Sequence, residues 1–193
     1  MTETITILIS LLALAVSVVT AWLTLFRTGT VRMTQPTLVF FGPDGPDGPP
    51  KVFLRTLLYS TSKRGRIVEN MFVRLHRGES IQTFSIWVCG EGALGRGSGV
   101  YVGEGGITYN HHFLLPSDGT RYEFLPGDYT VDTHALLVGN RKPILLSRVR
   151  LTLTDSHAAA MSDKRAGAFF DWGPDSTKYI AHIDTHPKTL TIG

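Results

Sequence analysis

The chain has one cysteine, Cys89, so no disulfide can form within it and the fold needs no oxidising compartment. Lying near a strand end, Cys89 reads as a small apolar residue; a catalytic thiol would want a histidine and a positive field beside it. Charge is scarce too. Charged residues make up 18% of the chain, below the ~25% of ordinary soluble domains, and between Ile5 and Phe26 there are none. The net charge of +3 is too small to argue for a nucleic-acid partner, and basic and aromatic residues are not interleaved as RNA binding would want. The chain also lacks a Gly-x-Ser-x-Gly, a His-Glu-x-x-His, a Cys-x-x-Cys and a phosphate loop, so no strong catalytic motif stands in it. Gly95-Arg-Gly-Ser-Gly99 lacks the spacing of a nucleotide fingerprint and reads as a hairpin loop.

The uncharged stretch is the clearest positive feature. After a short tail, residues 1–4, a helix over 5–26 would span about 33 Å, enough for the hydrocarbon core of a bilayer. Its polar side chains are Thr6, Ser10, Ser17, Thr20 and Thr24, plus the Trp22 indole. Trp22 and Phe26 fall at the end where aromatic rings favour the membrane interface. A cleaved signal peptide is the rival reading, with Ala13-Leu14-Ala15 imitating a cleavage site. The start carries Glu3 and no basic residue, and the apolar run continues well past Ala15, so an uncleaved anchor is expected. Arg27 and Arg32 follow the helix and no basic residue precedes it, which places the C-terminal side in the cytoplasm and the protein in the cell membrane. Ala13, Ser17 and Ala21 recur at every fourth position, a small-residue stripe that lets two helices approach closely and form a homodimer.

Residues 27–35 read as a polar linker, 36–184 as one domain and 185–193 as a loose tail. Pro36 opens the apolar run 37–41, and the near-repeat of Gly-Pro-Asp over 42–50 is turn chemistry. Lys51–Tyr59 is apolar on both faces, the mark of a central strand. Alternation over Ile67–His76 puts Met71, Val73 and Leu75 on one side, with Phe72, Arg74 and His76 on the other. Ile81–Val88 groups Phe84, Ile86 and Val88. Asp128–Val138 groups Tyr129, Val131, Thr133, Ala135 and Leu137; Lys142–Leu153 groups Leu145, Val149, Leu151 and Leu153. Such alternation belongs to half-buried antiparallel strands. A short helix over His157–Ala166, capped by Asp155 or Ser156, carries Lys164 and Arg165 at its negative end and stops at Gly167. A last strand runs over Lys178–Asp184.

The expected fold is therefore mainly β, an antiparallel β-sandwich behind one transmembrane helix, with one short soluble helix near the C-terminus. The segment Phe124-Leu-Pro-Gly-Asp-Tyr-Thr-Val131 resembles the turn-then-strand element of immunoglobulin-like and fibronectin-like sandwiches, where a Pro-Gly turn feeds a strand with an inward aromatic. The resemblance implies an immunoglobulin-like sandwich; the Cys–Trp–Cys pattern of immunoglobulin domains proper is absent.

Two side-chain groups are candidates for chemistry. His182, Asp184 and His186 alternate along one strand and Asp132 and His134 along another; side by side, the two strands would make a His/Asp metal site suited to zinc or iron. The competing reading is a solvated sheet face. His111 and His112 point to opposite faces and cannot act as one pair. The second group is basic: Lys63, Arg64 and Arg66, with Arg74, His76 and Arg77 nearby, a surface that anionic lipid would attract. The competing reading is an ordinary charged turn. The function expected is a membrane-anchored, non-catalytic binding or assembly module with no cofactor, in contact with the bilayer and a protein partner. A metal-dependent enzyme is the alternative, and an accessory subunit of a larger membrane complex a third reading.

Overall fold

The computed structural model describes residues 1–45, 48–90, 95–96, 99–116, 121–162 and 166–185. It opens with helix α1 (Thr2–Ala21), whose last turn widens to π-helical geometry over Trp22–Phe26. Strands follow in the order β1 (Val31–Met33), β2 (Leu38–Pro43), β3 (Pro50–Ser60), β4 (Arg66–Arg77), β5 (Ser80–Phe84), β6 (Ile86–Gly90), β7 (Gly95–Arg96), β8 (Val100–Val102), β9 (Ile107–Leu114), β10 (Gly127–Leu137) and β11 (Ile144–Leu153). A short helix α2 (Asp155–Met161) then leads to β12 (Gly167–Gly173) and β13 (Lys178–Asp184).

The strands form two antiparallel sheets. The larger has the order β13-β12-β2-β3-β9-β6-β7, with β1 paired to the end of β3; the smaller has the order β11-β10-β4-β5, with β8 paired to the start of β4. Their inner faces share one core. Phe41 of the larger sheet stacks on Phe124 at 4.9 Å and meets the ring edges of Tyr129, from the smaller sheet, at 5.3 Å and Phe170 at 5.2 Å. Val39, Val52, Leu54 and Phe113 from one sheet and Met71, Val73, Val131 and Leu151 from the other complete it. Alternation over β10 turns out as read: Tyr129, Val131, Thr133, Ala135 and Leu137 are buried.

Elsewhere the structure corrects the reading. Leu145 points outward, 49% exposed, because Leu146 has no opposite number where the register slips between Thr133 and His134; one extra residue in a strand flips all that precedes it. The run 81–88 is two strands. Phe84 ends β5 in the smaller sheet and faces the core, whereas β6 belongs to the larger sheet, so Trp87 is the inward residue beyond Ser85. Residues 27–35 are more than a linker, since β1 pairs Val31, Arg32 and Met33 with Ser60, Tyr59 and Leu58. The cap of α2 is Thr154, whose hydroxyl accepts from the His157 amide. That helix ends at Met161, and Lys164 and Arg165 lie outside the described residues. Gly167 opens β12 instead of closing a helix: the Phe40 ring lies where its side chain would stand.

Candidate functional site

No residue of α1 is buried against the domain. Helix and π-turn together, Thr2–Phe26, are long and apolar enough to span a membrane. Every hydroxyl in the uncharged stretch folds back onto its own backbone: Thr6 donates to Thr2 O at 3.0 Å, Ser10 to Thr6 O at 2.9 Å, Ser17 to Ala13 O at 2.9 Å, Thr20 to Val16 O at 2.8 Å and Thr24 to Thr20 O at 2.8 Å. Such bonds leave no hydroxyl proton needing water, which is what a hydrocarbon environment demands. Trp22 stacks on Phe26 at 5.8 Å at the exit.

The chain past that exit is tied to the β3–β4 turn. The Thr30 amide donates to Thr61 Oγ1 at 2.9 Å, the Thr61 amide to Thr30 O at 2.9 Å, and Ser62 Oγ to Thr28 O at 3.2 Å. Gly29 is in the left-handed region, φ +56°, with Ser62 packed where a side chain would be. The same turn carries Lys63, Arg64 and Arg66, so the structure brings these together with Arg27 at one end of the domain. Two clefts open there. One, about 290 Å³, lies between Arg27, Lys63 and Glu104, with Thr24 on the helix side. The other, about 450 Å³, is walled by Thr28, Arg64, Arg66, Tyr101 and Asn140. Arg66 donates to Val138 O at 3.2 Å and Asn140 Oδ1 at 3.0 Å, and Tyr101 Oη donates to Arg64 O at 3.3 Å. Among the described residues no carboxylate comes within ion-pair distance of Arg27, Lys63, Arg64 or Arg66. Arg32, in β1, is exposed opposite Tyr59.

The His/Asp candidates are held apart. Asp132 and His134 are on the outer face of β10 in the smaller sheet, and His182 and Asp184 are on β13 in the larger; His186 lies outside the described residues. Asp132 is buried and receives a bidentate pair from Arg148, 2.7 Å at each oxygen, with His76 Nε2 at 3.4 Å. The Arg148 hydrogen bonds hold its carboxyl below the usual range. His134 stacks flat on Phe72 at 4.9 Å, and burial, with Arg74 nearby, lowers its pKa. His182 Nδ1 is 3.1 Å from Asp171 Oδ2, and its ring stacks on Phe169. Arginine and histidine fill the space around Asp132, an ion-pair arrangement in place of a ligand set. Among the described residues no three His, Cys, Asp or Glu gather to hold a metal.

Three titratable groups of the larger sheet are less ordinary than their sequence context. His111 is wholly buried on the core face; Trp87 Nε1–H donates to its Nδ1 at 3.1 Å, so its proton sits on Nε2, which finds no acceptor among the described residues. Burial, and then the neighbouring His112, brings its pKa down to about 4. Cys89 is its cross-strand partner, but burial pushes the thiol up. Both shifts favour the neutral forms, the opposite of what an activated thiolate needs. His112 is buried on the opposite face beside Phe53, at 4.7 Å, and near Lys51, which pairs with Asp44 at 2.8 Å. Burial first, then the Lys51 charge, brings its pKa down to about 4. The signal in the sequence was two adjacent histidines inside a strand, followed directly by Phe113 and Leu114.

At the other end of β4, a cleft of about 560 Å³ lies between the β4–β5 hairpin and residues 121–125, lined by Arg77, Gln82, Arg121, Tyr122, Glu123 and Leu125. Arg77 donates to Pro126 O at 3.3 Å, and Tyr122 packs edge-on against Phe84. No family model, curated protein or solved structure matches the chain.

Proposed function

We propose that the protein is a single-pass membrane-tethered binding or assembly module, with its β-domain on the cytoplasmic side. The observation that carries the reading is a helix of 25 residues that buries nothing against its own domain and, between Ile5 and Phe26, turns every hydroxyl back onto its own backbone. Exposing that much apolar surface to water is strongly unfavourable, so lipid is its fitting solvent. The cleft around Arg77 and Arg121 is at the end of β4 away from the helix exit, where a protein partner would approach. The immunoglobulin-like reading of the fold draws support from Tyr129, whose hydroxyl donates to Leu125 O at 2.6 Å, as in the tyrosine corner of such sandwiches. A homodimer through Ala13, Ser17 and Ala21 remains part of the proposal. The Ser17 hydroxyl, turned back on Ala13 O, leaves a small surface there for a second helix.

The test has three readings. After high-salt and alkaline washing the protein should stay in the membrane pellet; release into the soluble fraction would remove the anchor. Cys89 is half-buried with a raised pKa, so an exposed probe is needed for topology: Glu79→Cys on a Cys89→Ser background. That probe should be shielded from an impermeant thiol reagent in intact cells, while a cysteine added before Thr2 labels; the reverse pattern would invert the orientation. Crosslinking in membranes should yield less dimer from Ser17→Leu than from wild type, and equal yields would make the protein a monomeric tether.

A further inference from the structure

We propose that the cleft walled by Arg64, Arg66, Tyr101 and Asn140 binds the phosphate-bearing headgroups of anionic lipids in the membrane that the helix spans. The domain is thereby held against its own bilayer. The inference rests on the anchor reading and adds a second, reversible contact to it.

Position is the first argument. Thr28 is part of the cleft wall and stands two residues past the end of the π-turn at Phe26. Two residues reach at most about 7 Å. The headgroup layer on each side of the hydrocarbon core is about 5–7 Å deep. A cleft that begins at Thr28 therefore opens at headgroup level if Phe26 ends the crossing.

Charge is the second. No carboxylate lines the cleft among the described residues, and Arg66 is oriented by neutral oxygens, Val138 O and Asn140 Oδ1, that leave its charge available. Arg141 and Lys142 follow Asn140 and are exposed. Arg27 and Lys63 line the neighbouring cleft, where Glu104 is the one opposing acid among its lining residues.

The third argument is the apolar rim. Ile67, Tyr101 and Val138 line the same cleft and are 46%, 59% and 51% exposed. An aromatic and two aliphatic side chains beside guanidinium groups suit the membrane interface, where rings and arginine stems lie in the headgroup zone and charges meet phosphate. The wall is also built. Gly65 takes φ +68° and Tyr101 lies across it where any side chain would collide.

The experiment uses the full chain, reconstituted into vesicles of phosphatidylcholine alone and into vesicles that also contain phosphatidylserine. Amide exchange is followed over residues 61–68 and 138–142. Flotation with the vesicles reports the anchor separately: a chain that does not float overturns both readings. With flotation intact, exchange should slow in the phosphatidylserine vesicles only, and molar salt should reverse it. Lys63→Gln and Arg64→Gln should each lower the ratio of docked to free domain about fivefold; the Arg64 carbonyl that holds Tyr101 is untouched by either. Equal exchange in the two vesicle types would overturn the proposal while leaving the anchor standing. So would protection produced by a soluble acidic peptide and not by phosphatidylserine, which would assign the cleft to a protein partner.

Discussion

Across the outer face of the larger sheet, Val88, His112, Phe53, Phe40, Phe169 and His182 stand in one cross-strand row. The matching row on the smaller sheet is Arg148, Asp132, Arg74 and Thr83. The first is dehydrated in its middle: Phe40 is 2% exposed and His112 4%. In the second, Asp132 is buried but its partner Arg148 remains 57% exposed. The two rows shift titrations by different physics. His112 and Asp132 both have lowered pKa values, yet burial keeps the histidine neutral while the arginine keeps the aspartate charged. The larger sheet behaves as if it had a core on each side, and the smaller as an ordinary half-wet sheet.

The comparison breaks or holds on measurable differences. The largest should come from Phe40→Ala. It removes a ring packed on Phe169 at 4.6 Å and over Gly42 and Gly167, at about 3–5 kcal/mol for a buried phenylalanine. Phe72→Ala, on the partly exposed outer face of the smaller sheet, should cost less than about 2 kcal/mol. Denaturant midpoints of the two variants in detergent would decide, and equal losses would mean the faces do not differ.

Next comes acid. An unfolded imidazole takes a proton below about pH 6.5, whereas His111 and His112 do so only near 4 in the folded protein. Their contribution is therefore complete above 6.5 and is lost as pH falls toward 4, by at most about 3 kcal/mol for each. His112→Phe should flatten this slope by about half. Asp132→Asn should leave it alone and act lower, because the stability Asp132 supplies is present above the ordinary carboxylate value of 3.8 and is lost as pH falls through its lower folded value. Stability curves from neutral pH down to about pH 3 test both, and a His112→Phe curve that overlays wild type would refute the first.

Smaller still is Arg148→Gln. The expected result is an upward shift of the Asp132 carboxyl titration, followed by nuclear magnetic resonance; no shift would mean that the Arg148 hydrogen bonds do not set it. The least effect is expected at the seam between the sheets, where α2 connects β11 to β12. Thr154→Ala removes its cap for about 1 kcal/mol, read as a lowered thermal midpoint with neither face otherwise changed.

Much of the architecture was legible because alternation is a local property. The inward residues of β10, the apolar central strand β3 and the last strand β13 follow from it directly. What failed depended on counts between strands. The slip opposite Leu146 reversed Leu145, and Ser85, passing the chain from one sheet to the other, split a run that looked continuous. Gly167 stops helices in general, but here it makes room for Phe40, a residue over a hundred positions away. The basic turn was visible as Lys63, Arg64 and Arg66; its closeness to Arg27 was not, since that comes from Thr30 and Thr61 bonding across the β1–β3 pairing.

The strand pairing of residues 31–33 sets how far the domain can wander. Only residues 27–30 separate the π-turn from β1, a leash of at most about 14 Å, and Thr30 and Ser62 shorten it further by their bonds. Anchored as proposed, the domain has almost no volume to search and hardly any freedom to turn over. A partner held in the same membrane then meets it by a search in two dimensions, whereas a soluble one reaches it from the bulk on the side turned away from the bilayer.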